Sequence, residues 1–163
     1  MKKAVLISIR PKFARSLLAG TKTAEVRRRF PDLPSGTKLF VYSSSPDRAI
    51  LGTLVLDAVQ DCSPENVWLR FRLAIDIEKS RLDQYLSGAV SARVLQVLHP
   101  RLWVRPVSLE DLRSELGLEP AQSYRYLTDA ESVLLESLSN VSSFSSPALP
   151  LASAEETLAV RTA

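Results

Sequence analysis

Hydrophobic residues recur with two different periods in the first part of the chain. Ala4–Ile9 is a short apolar run flanked by charge, which is typical of a buried strand. Pro11 follows at a first-helical position. Residues 11–19 then repeat apolar side chains at i and i+4, and Gly20 comes next, so the pattern predicts a helix that ends at a left-handed glycine. Residues 23–29 alternate between apolar and ionic side chains, which predicts a half-exposed strand.

The remainder of the chain continues this mixture of strands and short helices. Two β-rich segments, 37–43 and 49–59, predict neighbouring strands, and Gly52 inside the second indicates a bulge, a sharp bend or a close backbone approach. A helix is predicted from Pro64 onwards, with Ser63 as its N-cap. Three more helices are predicted over about 77–87, over 108–116 and over about 129–138. Two more strands are predicted over 89–98 and 122–126.

Five or six short strands with small helices inserted between them predict an α+β fold, a compact mixed β-barrel rather than a doubly wound sheet. We expect one domain over residues 1–129, followed by a short helix over 130–138 that begins with a Thr128/Glu131 capping box. Residues 139–163 are rich in Ser, Pro and Ala. Such a composition buries too little surface to offset the entropy of ordering, so we expect a flexible, disordered tail there.

Composition narrows the class of protein. The chain has 163 residues, of which 45% are hydrophobic and 24% charged, as in a soluble globular domain. We find neither an apolar stretch long enough for a membrane span nor a signal peptide, and we expect a cytoplasmic protein. One cysteine, Cys62, and one histidine, His99, argue against a disulfide, a metal centre and a Ser-His-Asp triad, so we expect no metal and no cofactor.

Positive charge is concentrated at the start of the chain. The first thirty residues contain nine Lys and Arg against a single acidic residue, Glu25. Clustering of this kind indicates either an anionic partner, first of all nucleic acid, or a merely solvated basic face.

The segment 20–27 brings an ammonium, a carboxylate and a guanidinium together. Glu25 and Arg27 share one face of the predicted strand, and Lys22 in the turn before it reaches the same space. These groups either form a ligand site or an exposed ion pair worth about 0–1 kcal/mol.

Several short motifs carry a family resemblance. They are 8–11 (SIRP), 18–22 (LAGTK), 25–29 (EVRRR), 42–46 (YSSSP), Gly52 and 122–124 (QSY). In this order and spacing the chain resembles an ASCH domain, the activating-signal-cointegrator homology domain of the PUA-like superfamily, over about residues 3–128. The closest likeness is to small stand-alone prokaryotic ASCH proteins.

The resemblance implies a PUA-like β-barrel with a cleft beside the first helix and second strand that accepts RNA or a modified nucleotide. The ligand-binding positions that it implies are Arg10, Lys22, Glu25, Arg27, Tyr42, Ser44 and Ser45. Arginine binds phosphate in a bidentate manner, and glutamate accepts hydrogen bonds from a base amino group. Tyr42 either stacks on an unpaired base or belongs to the barrel core.

Some ASCH proteins are enzymes, and this leaves alternatives. By resemblance, Lys22 and Glu25 would be the catalytic residues of an amidohydrolase acting on an acylated cytidine nucleoside. Glu25 stands, however, where those enzymes have a nucleophilic threonine, and Thr23 comes two positions early. A ribonuclease ranks lower because the first forty residues contain no histidine to act as general base. A third alternative is an adaptor for transcription or RNA metabolism with a protein partner on the tail. A binding module is the preferred hypothesis.

Overall fold

The computed structural model describes residues 3–140 of the chain, which form a six-stranded mixed sheet and five short helices. In chain order the elements are β1 (Ala4–Ile9), α1 (Pro11–Ala19), β2 (Ala24–Arg27), β3 (Lys38–Ser43), β4 (Ala49–Cys62), α2 (Pro64–Ile75), α3 (Lys79–Tyr85), β5 (Ala92–Ser108), α4 (Leu109–Leu116), β6 (Tyr124–Leu127) and α5 (Asp129–Asn140). The predicted α+β class and the insertion of short helices between strands are confirmed.

The strands lie in the order β2-β5-β4-β3-β1-β6, with β1 and β3 parallel and the other neighbours antiparallel. The sheet curls into a half-barrel, so that its two edge strands approach each other. Phe30, just beyond β2, contacts Tyr124 of β6 with ring centroids 5.1 Å apart. Arg27 of β2 donates a 2.8 Å hydrogen bond to the carbonyl oxygen of Ser8 in β1. We call this side-chain junction between the sheet edges the seam.

Apolar side chains form three buried clusters on this frame. One lies between the sheet and α1, and includes Leu17 and Leu54. A second surrounds Phe40 and Trp103 beneath α4 and α5. The third lies between β2, the beginning of β5 and the helices α2 and α3, where Phe71 is buried. The clusters anchor α1 and α3 near the seam, at positions where each helix forms a wall of the space beside β2.

Strand β5 is much longer than the predicted segment 89–98, because it continues through Ser108. His99 has a φ of 52° and stands at an irregularity of the β4–β5 ladder, where the chain bulges and then resumes pairing with β4. Beyond the bulge Gly52 pairs with Leu102, and a Cβ on Gly52 would lie 2.1 Å from the carbonyl oxygen of Arg101. The expected close backbone approach at Gly52 is confirmed.

The capping predictions identify helix starts correctly. Ser63 accepts a hydrogen bond from the amide of Asn66 at the start of α2, and Thr128 and Glu131 exchange both bonds of a capping box. Helix α5 extends to Asn140, so the first two residues of the predicted tail are helical. The rest of that segment, 141–163, lies outside the described residues. Within residues 3–140 no helix is long and apolar enough to cross a membrane.

Candidate functional site

A cleft of about 1400 Å³ opens at the seam, between α1, β2, α3 and the chain that leads into β6. Six basic side chains and one carboxylate line it: Arg10, Lys22, Arg27, Arg28, Arg29, Arg81 and Glu25. The cleft is therefore strongly electropositive. Low-dielectric walls focus such a field on an incoming anion.

Lys22 lies at the floor of the cleft. Gly20 ends α1 in the left-handed conformation with a φ of 80°, and the chain turns there to enter β2. The Lys22 side chain is only 3% exposed, and its ammonium donates to the carbonyl oxygen of Ile75. It also lies 3.4 Å from Oε2 of Glu25 and 5.0 Å from the ring centroid of Phe13. Burial lowers the pKa of Lys22, and the negative charge of Glu25 opposes this shift.

Glu25 connects the two cations of the predicted trio. Its other oxygen, Oε1, lies 3.2 Å from Nε of Arg27, and both side chains are 12% exposed. Arg27 also reaches across the seam to Ser8 and, at 3.4 Å, to the hydroxyl of Ser123. Its Nε is buried and has no aligned hydrogen-bond partner within residues 3–140. Lys22, Glu25 and Arg27 thus form one chain of charges along the cleft floor, as the alternation of β2 predicted.

Around this floor, three exposed arginines have no partner for their side chains among the described residues: Arg10, Arg29 and Arg81. Arg28 differs from them, since its guanidinium donates to the carbonyl oxygens of Tyr85 and Ser87. The guanidinium groups of Arg10, Arg29 and Arg81 are therefore available for bidentate contacts with phosphate or carboxylate groups.

The facing strand contributes less than the resemblance implied. Ser44 lines the cleft, whereas Tyr42 and Ser45 do not. Tyr42 is buried in the cluster of Phe40 and Trp103, where burial raises the pKa of its phenol. Its position matches the barrel-core alternative. Ser45 is exposed on the loop after β3, outside the cleft lining.

The sequence reasoning missed the wall formed by α3 and the loop behind it. Arg81 and Tyr85 lie one helical turn apart and line the cleft, followed by Val90 in the loop. The i, i+4 spacing within a helix predicted over 77–87 carries a signal for a shared face. Without the fold, nothing in that spacing indicates that the face looks toward β2.

The fold and the site define a class of protein, a curled, mixed half-barrel of the PUA-like kind with a basic cleft at its open side. The model of the ASCH domain family matches residues 7–98, so the chain belongs to the ASCH domain family. The resemblance drawn from the motifs is confirmed.

Three comparisons illustrate how far the similarity extends. The chain is 26% identical over 140 residues to the ASCH domain-containing ribonuclease of Zymomonas mobilis subsp. mobilis, covering 85% of this chain and 94% of that protein. The crystal structure of ASCH from Zymomonas mobilis superposes with a TM-score of 0.80 at 26% identity, covering 83% of this chain and 95% of that one. Human THYN1, solved in complex with 5-methylcytosine-containing DNA, shares the fold alone, with a TM-score of 0.55 at 15% identity and coverage of 86% and 99%.

Within residues 3–140 no group of three or more His, Cys, Asp and Glu side chains is arranged to hold a metal ion. The functional groups that line the cleft include guanidinium groups, one buried ammonium, one carboxylate and several hydroxyls. These groups bind anions and transfer protons.

Proposed function

We propose that the cleft at the seam binds a nucleotide of single-stranded RNA. One observation carries the proposal: six basic side chains surround a hollow whose floor is a buried Lys22–Glu25–Arg27 chain of charges. The similarity to a ribonuclease of the same family supports RNA as the ligand class.

The charged side chains of the cleft would contact different parts of the nucleotide. Arg10 and Arg29, whose guanidinium groups have no partner within residues 3–140, bind the phosphates. Glu25 accepts hydrogen bonds from a base amino group, as carboxylates do at nucleobase edges. Arg27 adds a second positive charge to the floor beside Glu25.

The test is binding of a fluorescently labelled octauridylate, followed by anisotropy over a series of salt concentrations. We expect the double variant Arg10→Gln/Arg29→Gln to bind more weakly and to lower the slope of log K against log salt by about 1.4, since each phosphate of a single strand that is no longer neutralised reduces the slope by ~0.7. The control is Arg72→Gln, which changes an exposed arginine of α2 outside the cleft lining. If the double variant and the control bind alike with the wild-type slope, the cleft is not the RNA site.

Cleavage of the bound RNA is a second candidate function, and two observations favour it. The Zymomonas relative is a ribonuclease, and burial lowers the pKa of Lys22. Once its ammonium has lost a proton, Lys22 can accept the proton of a ribose 2′-hydroxyl as that oxygen attacks the adjacent phosphorus, and the departing 5′-oxygen takes a proton from water. Lys22 would then supply the general base for which the first forty residues offer no histidine.

A denaturing gel distinguishes binding from cleavage. We expect wild-type protein to shorten an RNA oligonucleotide but not its 2′-deoxy counterpart. We expect Lys22→Gln to bind the RNA more weakly, though still detectably by anisotropy, and to lose the cleavage even when RNA saturates the protein. Equal cleavage by the wild type and Lys22→Gln would remove Lys22 from that role.

The amidohydrolase alternative receives less support from the site. Thr23 is exposed and does not line the cleft, so it is not beside Lys22 to act as a nucleophile. Incubation with an acetylated cytidine followed by chromatography tests it directly, and turnover that Lys22→Gln abolishes would favour the enzyme. The adaptor alternative depends on a tail that lies mostly outside the described residues.

A further inference from the structure

A single nucleotide bound at β2 would leave part of the cleft surface, on the α3 wall, without a contact. Tyr85 presents a large aromatic side chain that is 41% exposed, and Val90 in the following loop is 91% exposed. Both line the cleft, together with Arg81 one turn before Tyr85, whose side chain has no partner in the part of the chain that the structure describes. Exposed apolar groups beside a free cation form a surface that suits a base and its phosphate.

This wall is held firmly in place. Leu82 in α3 and Leu86 directly after it are buried in the third core cluster. Arg28 fastens the end of the helix to β2, because its guanidinium donates to the carbonyl oxygens of Tyr85 at 2.8 Å and Ser87 at 3.0 Å. The Arg28 amide also donates to the Tyr85 hydroxyl at 3.3 Å, which restrains the ring itself. An aromatic ring restrained in this way loses little entropy when a base stacks on it.

The size of the cleft also exceeds what one nucleotide requires. Its volume of about 1400 Å³ is above the range of about 300–1,000 Å³ that is usual for small-molecule sites. The charge chain at β2 forms its floor, and Arg81, Tyr85 and Val90 lie beside that floor on the α3 side of the lining.

We propose that the α3 wall holds a second nucleotide of the same strand, with its base stacked on Tyr85 and its phosphate paired with Arg81. The inference rests on the proposed function, since the first nucleotide lies against the Lys22–Glu25–Arg27 floor. The substrate class is therefore an oligonucleotide of two or more unpaired residues, not a free nucleoside or mononucleotide.

The experiment measures binding of an octauridylate and of uridine monophosphate by four proteins: wild type, Tyr85→Leu, Tyr85→Phe and Tyr126→Leu. Tyr126, on β6, is a matched control because its side chain is 44% exposed and does not line the cleft. A second octamer carries one 2-aminopurine, a base whose fluorescence is quenched when it stacks.

We expect Tyr85→Leu to weaken octamer binding by about tenfold or more, the range for loss of one base–aromatic stack, and to relieve the 2-aminopurine quenching. Tyr85→Phe retains the ring and is expected to keep both the affinity and the quenching. Tyr126→Leu should bind like wild type. Binding of the monophosphate, which reaches only the floor, should be the same in all four proteins.

Three results would overturn the inference. Tyr85→Leu could bind the octamer as tightly as wild type. Tyr85→Phe could lose as much as Tyr85→Leu, which would assign the effect to the Arg28–hydroxyl bond instead of to stacking. The monophosphate could bind as tightly as the octamer, which would remove the second subsite. Loss of octamer binding in Arg10→Gln/Arg29→Gln alongside wild-type binding by Tyr85→Leu would refute the α3 subsite while leaving the proposed function intact.

Discussion

Replacing Arg27 with methionine tests whether the seam depends on this one side chain. Methionine keeps most of the aliphatic stem and removes the guanidinium. The substitution deletes the 2.8 Å bond to the carbonyl oxygen of Ser8 and the longer 3.4 Å bond to Ser123, and it takes away the cation 3.2 Å from Glu25. The carboxylate of Glu25 then retains only Lys22 as its ion-pair partner within the described residues.

The expected cost follows from the burial of these groups. At 12% exposure the Arg27 side chain is largely shielded from water, so its bonds are not those of a surface pair. Hydrogen bonds to charged groups contribute about 1.5–3 kcal/mol each, and the bond to Ser123 is at the long end of the accepted range. We therefore expect the free energy of unfolding to fall by about 2–4 kcal/mol.

Thermal unfolding followed by circular dichroism measures this loss. For a domain of this size 1 kcal/mol corresponds to about 3–4 °C, so the midpoint should fall by about 6–15 °C. Arg29→Met is the matched control, because Arg29 is exposed, lines the same cleft and has no side-chain partner in residues 3–140. We expect the control to change the free energy of unfolding by less than about 0.5 kcal/mol. Equal melting of the two variants would show that Arg27 does not hold the sheet edges together.

Four further outcomes follow from the structure. Gly52→Ala should lower the urea midpoint by the equivalent of about 3 kcal/mol, because its Cβ would lie 2.1 Å from the backbone oxygen of Arg101; an unchanged midpoint contradicts this. Burial lowers the pKa of Lys22 in the folded state, so between that pKa and the ordinary value of 10.5 the unfolded chain binds more protons than the folded chain. The free energy of unfolding, measured by urea denaturation, should therefore rise with pH in this window. Lys22→Met should lose this rise. Affinity for the octauridylate should fall over the same window as the ammonium deprotonates, and constant affinity would place Lys22 out of reach of the ligand. Tyr42→Phe should leave anisotropy-measured RNA affinity within about twofold of wild type, because Tyr42 is buried outside the cleft lining, and a larger loss would return Tyr42 to the site.

Local signals predicted much of the fold, because the rules that produce them act over a few residues. The i, i+4 repeat and Gly20 gave α1 its bounds, and Ser63 and Thr128 marked the starts of α2 and α5. Strand β5 was underestimated because His99 and a following proline indicate a break. The chain instead accommodates them as a bulge, and Gly52 on the opposite strand makes room for the pairing that follows.

The candidate site was predictable only in its local part. Lys22, Glu25 and Arg27 converge because the two-residue period of β2 sets their direction. Two further facts depend on contacts between residues far apart in sequence. The ammonium of Lys22 is buried against Ile75, and Tyr42 is buried in the second core cluster and does not line the cleft. The same holds for the α3 wall, whose direction is set by the packing of Leu82.

The way in which the half-barrel closes determines how the cleft can change its width. No backbone ladder joins β2 to β1 or β6 in the described sheet, and the Arg27–Ser8 hydrogen bond and the Phe30–Tyr124 ring pair span this gap. Separation of the two edges would break these contacts without breaking any of the five strand pairings. Substitutions at 27, 30 and 124 are therefore expected to alter which ligands enter the cleft without changing the topology of the fold.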